Sequence, residues 1–283
     1  MKIGVLSSSS AVSQKPVRIG AAEFEKLGFE IVFSPHCFEQ NRFLAGTDEQ
    51  RLADLHAFFA DDTIDCIMEA GGGYGSSRLL DGLDYDFIKR HKKPLIGLSD
   101  STALQNALVA KADLICPTGF LLKKRFADYE IPPTLLDFFA GKELKYELDG
   151  AFEASGRLLG GCLSLLAALL GTPYMPDMTG AVLVIEDVGE EPYAVDRMLQ
   201  HLASAGVFKA VSAVVFGRFV DCLAKDSADG TIQDVLDEWE KRIEKPVFTN
   251  LNYGHQAYSA VVPLGAACSI KNGVLTVSGK DEQ

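Results

Sequence analysis

The sequence contains no apolar run that approaches the roughly 20 residues of a membrane-spanning helix. Its start, MKIGVLSSSS, lacks the long apolar core of a signal peptide and is predicted to form a first strand. Basic residues are also scarce, since 27 Lys and Arg face 39 Asp and Glu, which gives a net charge of -12. Nucleic acids and anionic membrane surfaces repel such a chain. We therefore expect a cytoplasmic protein that binds neither nucleic acid nor a membrane.

Residues spaced as metal ligands are lacking as well. The six cysteines are scattered without a CxxC pair, and the five histidines are dispersed along the chain. Neither pattern has the spacing of a zinc site or of a disulfide framework. Several cysteines occur in apolar runs, which predicts that they are buried. The sequence therefore predicts reduced cysteines, no metal site and no cofactor.

The first half of the chain does contain a regular alternation of apolar strands and helical segments. Strands are predicted at Lys2–Leu6 and at residues 29–33, 64–68 and 94–97, and helices at Asp48–Ala60 and at residues 21–27 and 101–111. Strands that alternate with helices indicate a parallel sheet covered on both faces. We therefore expect an α/β fold whose N-terminal domain has a flavodoxin-like or Rossmann-like parallel sheet.

The second half is richer in strands and alternates less regularly. Strands are predicted at residues 181–185, 210–216, 246–248, 261–264 and 274–277, and helices at residues 163–170, 193–205 and 232–243. Between the halves, residues 126–153 hold Pro132-Pro133 and the charged stretch GKELKYELDG, which is typical of a linker. We expect an N-terminal domain at 1–125, a linker at 126–153 and a smaller, β-rich α+β domain at 154–283.

Two features between residues 69 and 106 are candidates for one active site. The loop GGGYG at 71–75 follows one predicted strand, and GLSD at 97–100 follows the next. A serine between a buried strand and a helix start lies on a sharp turn, beside backbone N–H groups that can face an oxyanion. Ser99 is therefore a candidate nucleophile, although Ser101 stands where the G-x-S-x-G pattern has its second glycine. For this tetrapeptide alone, a simple helix N-cap is the favoured alternative.

A serine nucleophile needs a base, and a histidine base needs a carboxylate that orients it. His255 lies in NYGHQ, a turn-like segment between two predicted strands. Glu186 ends the apolar run AVLVI, which predicts a partly buried carboxylate in need of a partner. Asp187, Glu190 and Glu191 follow directly, so the sequence leaves open which acid points inward.

These motifs belong to five blocks that together resemble one family. The blocks are GGYGSSRLL at 72–80, GLSDSTAL at 97–104, GGCLSLLAALLGTPYMPD at 160–177, IEDVGEEPYAVDRML at 185–199 and YGHQAYSAVVPLG at 253–265. In order and spacing they are similar to the LD-carboxypeptidases, a serine peptidase family that includes the microcin C7 self-immunity hydrolases. The resemblance covers nearly the whole chain, up to residue 265.

Matched residue by residue, the resemblance implies a catalytic triad of Ser99, Glu186 and His255. The backbone N–H groups of Asp100 and Gly72 would form the oxyanion hole. The family's fold joins an N-terminal α/β domain to a C-terminal β-rich domain, and the triad is assembled across their interface. No metal or cofactor is implied, and a homodimer is the expected assembly.

The sequence departs from the family pattern at several positions outside the triad. Gly71 stands where arginine is frequent, Cys116 begins CPT in place of HGP, and Cys162 replaces the asparagine of GGN. Ser259 replaces an asparagine that is frequent four residues after the histidine. We take Gly73, Cys116, Cys162 and Ser259 as candidates for the substrate pocket.

The resemblance implies a carboxypeptidase of peptidoglycan recycling that removes the terminal D-alanine from a murein tetrapeptide through an acyl-enzyme. One alternative is a microcin-immunity-like hydrolase of aminoacyl- or peptidyl-nucleotide conjugates, which requires an aromatic platform for the base. The single tryptophan, Trp239, is expected in the core instead. A second alternative is a non-catalytic module that binds an anion or nucleotide at the serine run 7–10 and the glycine loop. That loop matches neither G-x-G-x-x-G nor a P-loop.

Overall fold

The computed structural model describes residues 1–123 and 130–278. Strands and helices alternate along its first half. The elements are β1 (Lys2–Leu6), α1 (Gln14–Lys26), β2 (Glu30–Phe33), α2 (Asp48–Ala60), β3 (Cys66–Glu69), a first 3₁₀ helix (Ser76–Gly82), α3 (Tyr85–Arg90), β4 (Leu95–Ile96), α4 (Ser101–Ala112) and β5 (Cys116–Thr118). Strands β2, β1, β3 and β4 form a parallel sheet in that order. This confirms the predicted parallel α/β arrangement.

The parallel strands place three candidate-site segments of the first half at the carboxyl end of the sheet. A switch point lies between β1 and β3, because the chain goes from β1 outward to β2 and then returns to the other side of β1. In open α/β sheets, ligand sites form at the carboxyl ends of the strands beside such a point. The serine run 7–10 follows β1, the glycine loop 71–75 follows β3, and Ser99 follows β4. All three segments therefore lie together at the carboxyl end of the sheet.

The second half is built around a larger, mixed sheet. Its elements are α5 (Pro133–Phe139), β6 (Leu144–Glu147), β7 (Ala154–Cys162), α6 (Leu163–Leu169), β8 (Val182–Val188), α7 (Pro192–Ser204), α8 (Val207–Ala210), β9 (Ala213–Val220), a second 3₁₀ helix (Ser227–Asp229), α9 (Ile232–Arg242), β10 (Val247–Phe248), β11 (Val262–Leu264), β12 (Ala267–Lys271) and β13 (Val274–Val277). The seven-stranded sheet has the order β10-β9-β8-β7-β12-β13-β6. Strands β10 to β7 are parallel, whereas β7, β12, β13 and β6 pair antiparallel.

The two halves are joined by direct pairing and by a shared helix. Strand β11 of the second half pairs antiparallel with β5 of the first, with Val262 opposite Thr118. Helix α4 contacts α3 on one side and α6 and β7 on the other. Its sequence, STALQNALVAKA, is apolar or small around most of its circumference, and most of the helix is buried. A helix of that composition needs cover on all sides, which both halves provide together.

Several element boundaries differ from the sequence prediction. The strand expected at 210–216 begins at Ala213, because Gly206, at φ 81°, starts the short helix α8 just before it. Strands β5, β6, β7 and β12 were not predicted, since each is short or lacks a regular alternation of apolar and polar residues. Within residues 1–123 and 130–278, no helix is long and apolar enough to cross a membrane.

The proposed linker is only partly described. Residues 126–129 and the expected boundary after residue 125 lie outside the described residues. The rest of the segment contains α5 and β6, and β6 pairs with β13 at the edge of the seven-stranded sheet. The division into domains at 1–125 and 154–283 with a linker at 126–153 stays a prediction.

Candidate active site

Ser99 lies on a strained turn between β4 and α4. Its φ is 69°, in the left-handed region, where a residue with a side chain costs about 1–2 kcal/mol. Ser101 Oγ donates a hydrogen bond of 3.0 Å to the Leu98 carbonyl and thereby closes the turn. A Cβ on Gly97 would lie 2.2 Å from that Oγ, so only glycine fits there. Ser101 thus stabilises the turn through its side-chain hydrogen bond, although it stands where the elbow pattern has its second glycine.

The glycine loop after β3 packs directly against Ser99. A Cβ built on Gly72 would lie 3.1 Å from Ser99 Cβ and 3.4 Å from its Oγ. The next residue, Gly73, is exposed at φ 115°, and a Cβ there would collide with Ser10 Oγ at 2.3 Å. Tyr74 N–H donates to the same Ser10 Oγ at 3.0 Å. The end of the serine run therefore holds the loop beside the candidate nucleophile.

The side chain of Asp100 ties three segments together beneath the turn. It is 1% exposed and accepts hydrogen bonds from Ser9 Oγ at 2.6 Å and from Ser76 N–H at 2.7 Å. Ser76 Oγ in turn donates to the Asp100 carbonyl at 2.6 Å. The serine run, the end of the glycine loop and the start of α4 are thus fixed relative to one another. The sequence showed the serine run at the sheet edge but gave no signal for these partners.

A second buried carboxylate, Glu69, lies at the end of β3. It is fully buried and accepts hydrogen bonds from Ser8 Oγ at 2.5 Å and from Ser8 N–H at 3.1 Å. Burial raises the pKa of Glu69 to about 7, the two Ser8 hydrogen bonds lower it, and the charge of Asp100 adds to the increase. The buried Arg51 guanidinium donates to the carbonyls of Ser8 and Gly75 and stabilises the same region.

Glu186 and His255 form a buried pair in the second half. Glu186 lies near the end of the central strand β8, and His255 follows β10, with Nδ1 2.7 Å from Glu186 Oε2. The two side chains are 0% and 2% exposed, respectively. A Cβ on Gly254, at φ 144°, would lie 3.1 Å from Glu186 Oε2, so glycine is needed for the histidine to approach. Within residues 1–123 and 130–278, His255 Nε2 and Glu186 Oε1 have no hydrogen-bond partner.

The environment of Glu186 acts on its ionisation in both directions. Burial raises the pKa of the Glu186 carboxyl, whereas the hydrogen bond and the charge of His255 lower it. The neighbouring Asp187 carboxylate raises it further. His255 is therefore the contact that favours the ionised form of Glu186.

The structure separates four neighbouring acids that the strand pattern alone left open and among which the family resemblance implied Glu186. Consecutive strand residues point to opposite faces, and β8 is a central strand, so both Glu186 and Asp187 are buried. Asp187 accepts hydrogen bonds from Ser164 N–H and Val188 N–H, each at 2.8 Å, which places it at the start of α6 and away from His255. Glu190 and Glu191 are partly exposed in the following turn. Glu186 is the acid that meets the histidine.

Contacts between the halves bring the start of α4 close to the end of β8. Cys162 is the register partner of Glu186, and its N–H donates to Thr102 Oγ1 at 3.1 Å. Asn106 Nδ2 donates to the Gly160 carbonyl at 2.8 Å. Ser99 precedes Thr102 by less than one turn of α4, so these bonds place the candidate nucleophile beside the Glu186 strand.

One cleft contains residues from both halves, and we call it the His255 cleft. Its walls include Leu98 and Gly119 from the first half and His255 and Ser259 from the second, and Lys123 also lines it. Leu98 is the residue directly before Ser99. The cleft therefore brings the turn of the candidate nucleophile and the candidate base to the same space.

The four candidate pocket residues lie in different surroundings. Ser259 lines the His255 cleft and accepts a hydrogen bond of 3.0 Å from Gly254 N–H, whereas Gly73 is exposed on the glycine loop. Cys116 is fully buried in β5 within the hydrophobic core, and Cys162 is buried with its Sγ 3.4 Å from Asp187 Oδ1. Both cysteines are therefore buried in the protein interior.

Other expectations concern residues away from the cleft. All six cysteines are free and buried. Trp239 is in the core as expected, where its Nε1–H donates to Asp196 Oδ1 at 2.7 Å. Among the described residues, no three His, Cys, Asp or Glu side chains are grouped as ligands for a metal.

Comparisons with known proteins agree with this architecture. Models of the LD-carboxypeptidase N-terminal and C-terminal domains match residues 3–119 and 155–270, respectively. A probable murein peptide carboxypeptidase of Bacillus subtilis is 32% identical over 286 residues, which cover 97% of this chain and 90% of the relative.

Two crystal structures are similar over almost the whole chain. A muramoyltetrapeptide carboxypeptidase from Oxalobacter formigenes has a TM-score of 0.87 at 26% identity, covering 98% of this chain and 99% of the other. An MccF-like protein from Bacillus anthracis has a TM-score of 0.85 at 27% identity, covering 98% and 96%. With both domain models matched in order, the chain belongs to the LD-carboxypeptidase family of peptidases.

Proposed function

We propose that this family member is a serine carboxypeptidase that hydrolyses the amide between an L-centre and a terminal D-alanine, as in a murein tetrapeptide. The observation that carries the proposal is the buried Glu186–His255 pair, whose histidine lines a cleft that Leu98, the neighbour of Ser99, also lines. The murein peptide named for the B. subtilis relative and the tetrapeptide named for the O. formigenes structure support the substrate class. A cytoplasmic location, a role in peptidoglycan recycling and a homodimer belong to the same proposal.

In the proposed first step, Ser99 Oγ attacks the scissile carbonyl carbon and His255 Nε2 takes the hydroxyl proton. An ionised Glu186 can only accept hydrogen bonds, so Nδ1 of the ring carries the other proton. This tautomer leaves Nε2 as the acceptor, which is the atom without a partner among the described residues. The Glu186 carboxylate then stabilises the imidazolium that forms.

The oxyanion of the tetrahedral intermediate is stabilised by backbone donors. Asp100 N–H lies at the positive end of the α4 dipole, and Gly72 N–H comes from the loop that packs on Ser99. Both donors must be held in place before the charge develops if they are to lower the barrier. The hydrogen bonds of the Asp100 carboxylate to Ser9 and Ser76 supply that rigidity.

The second half of the cycle reverses the proton transfers. The imidazolium of His255 donates its Nε2 proton to the departing amine, which releases D-alanine and leaves the shortened peptide as an ester on Ser99. A water molecule then attacks the ester carbonyl while His255 takes its proton. The collapse of this intermediate returns the proton to Ser99 Oγ and releases the tripeptide.

Mass spectrometry of purified murein tri-, tetra- and pentapeptides after incubation with the protein tests the proposal. We expect conversion of the tetrapeptide to the tripeptide with release of D-alanine. Ser99→Ala should lower kcat by about a millionfold with the fold intact, since the nucleophile is removed. Ser77→Ala, on the 3₁₀ helix after the glycine loop, is the matched control and should stay active.

A folded Ser99→Ala variant with near-wild-type turnover would show that Ser99 is not the nucleophile. Labelling of Ser99 by a serine-directed phosphonate separates the enzyme from a non-catalytic anion-binding module. No labelling, together with no cleavage of any peptide, would favour the binding module.

A second candidate function has its own structural support. Phe43 and Tyr74 are both exposed, with ring centroids 5.8 Å apart, and Tyr74 belongs to the glycine loop. Exposed aromatic rings can stack a nucleobase, so hydrolysis of an aminoacyl-nucleotide conjugate is the alternative substrate reaction for the same triad. The similarity to the MccF-like structure also favours it. Hydrolysis of such a conjugate, with no release of D-alanine from the tetrapeptide, would decide for this second candidate.

A further inference from the structure

The His255 cleft is lined by two charged side chains, Lys123 and Glu130, that the proposed catalytic steps do not use. Lys123 is the only lysine or arginine among the described residues that line the cleft. It is half-buried, and in the described part of the chain the lysines that pair with carboxylates are other ones. Lys93, another shielded lysine, instead donates to three backbone carbonyls. Lys123 thus differs from a lysine whose head group is satisfied by the fold.

A backbone hydrogen bond and a side-chain contact place Lys123 close to the candidate catalytic residues. Its N–H donates to the Ala70 carbonyl at 2.9 Å, which anchors it where β3 leads into the glycine loop. Its Cδ lies 3.9 Å from the position that a Cβ on Gly71 would occupy. The next loop residue, Gly72, packs on Ser99. The stem of Lys123 therefore lies beside Gly71, and only Gly72 separates Gly71 from contact with the candidate nucleophile. The Lys123 side chain also borders the cleft of the candidate base.

A spacing of about one residue between Lys123 and Ser99 matches the geometry of an exopeptidase substrate. The carboxylate of a terminal residue lies one residue beyond the scissile carbonyl, and one residue spans roughly 3.8 Å between Cα atoms. A carboxylate is recognised most strongly by a charged donor, since charge-assisted hydrogen bonds are shorter and stronger than neutral ones. An ammonium on a flexible stem can supply such a donor without a fixed fork geometry.

We infer that Lys123 binds the terminal carboxylate of the leaving D-amino acid and so restricts the enzyme to the last residue of its substrate. The inference rests on the proposed carboxypeptidase function and assigns a specificity-determining residue to it. It also gives a reason why a pentapeptide should be a poor substrate, because an additional residue moves the carboxylate past Lys123.

The test compares one peptide in two forms, the tetrapeptide with a free C-terminal carboxylate and the same tetrapeptide amidated at its C-terminus. The wild-type protein should prefer the free acid. Lys123→Gln should lower kcat/KM for the free acid by about ten- to a hundredfold, the usual loss for a charged hydrogen bond, and leave the amidated peptide unchanged. Lys123→Arg should keep most of the preference. Lys111→Gln, an exposed lysine on α4, is the control and should change neither rate.

Three outcomes have distinct meanings. If the preference for the free acid disappears in Lys123→Gln while phosphonate labelling of Ser99 proceeds at the wild-type rate, the inference is supported. If Lys123→Gln keeps the wild-type ratio of the two rates, the inference is wrong and the carboxypeptidase function stands. If the wild-type protein releases D-alanine from neither peptide, the proposed function fails and the inference fails with it.

Discussion

Replacement of the buried Glu69 by glutamine should change how the stability of the protein depends on pH. Glu69 is fully buried at the end of β3, and its pKa is raised from 4.5 to about 7, chiefly by burial. Each pH unit of such a change corresponds to about 1.4 kcal/mol. The wild-type protein should therefore lose about 3 kcal/mol of unfolding free energy at this site as the pH rises through that window.

The sign follows from the protons that each state binds. Between about pH 4.5 and pH 7, the folded protein keeps the Glu69 proton while the unfolded chain has released it. Unfolding free energy then falls as the pH rises, since the folded state binds more protons. The stabilisation is fully present below the unfolded pKa and is lost as the pH passes the folded one. Glutamine does not ionise, so Glu69→Gln should be free of this loss.

Urea unfolding followed by circular dichroism from about pH 4.5 to pH 8 measures the effect. The quantity of interest is the difference in unfolding free energy between Glu69→Gln and the wild-type protein. It should move in favour of the variant by about 3 kcal/mol over the range, whatever constant offset the new amide introduces. Glu147→Gln, at the exposed end of β6, is the control and should give a flat difference. A flat difference for Glu69→Gln as well would refute the reasoning and show that Glu69 stays ionised throughout this pH range.

Three further substitutions test the site. Glu186→Gln should lower kcat on the tetrapeptide by about ten-thousandfold, because His255 loses the anion that orients it. Asp187→Asn should mainly lower the unfolding free energy, by about 1–3 kcal/mol, since its carboxylate accepts from two backbone N–H groups and from Cys162 Sγ and does not contact His255. The opposite ranking in kcat assays would mean that the orienting acid is misassigned. Gly72→Ala should lower kcat by about ten- to a hundredfold, because the added Cβ would lie 3.1 Å from Ser99 Cβ and displace the reacting groups. Unchanged steady-state kinetics for that variant would show that the loop backbone takes no part.

The parallel half of the fold was predictable because its signals are local. Apolar runs such as residues 2–6 and 64–68 alternate with helical segments, and a parallel sheet is the arrangement that buries both faces of such strands. Short elements were missed. β5 has only three residues, and its place is set by Val262 and Leu264 of β11, which are far away in the chain.

The candidate triad was also accessible from sequence, by the strand-to-helix position of Ser99 and the family blocks. The hydrogen-bond partners that hold the surrounding loops in place could not be predicted from the sequence. The serine run gave no hint that Ser8 would meet Glu69 and Ser9 would meet Asp100, since 61 and 91 residues separate these partners. Cys116 and Cys162 depart from the family pattern, yet both are buried and neither is among the described residues that line the His255 cleft.

The sequence by itself determined the kinds of elements, the strand-to-helix turn at Ser99 and the residues available for chemistry. Only the tertiary structure showed that Glu186, and not its neighbour Asp187, contacts His255, and that Lys123 lines the cleft. The physical reason is that strand periodicity and turn chemistry depend on a few neighbouring residues. Burial and pairing of a carboxylate or an ammonium group depend on which distant segments the sheets bring together.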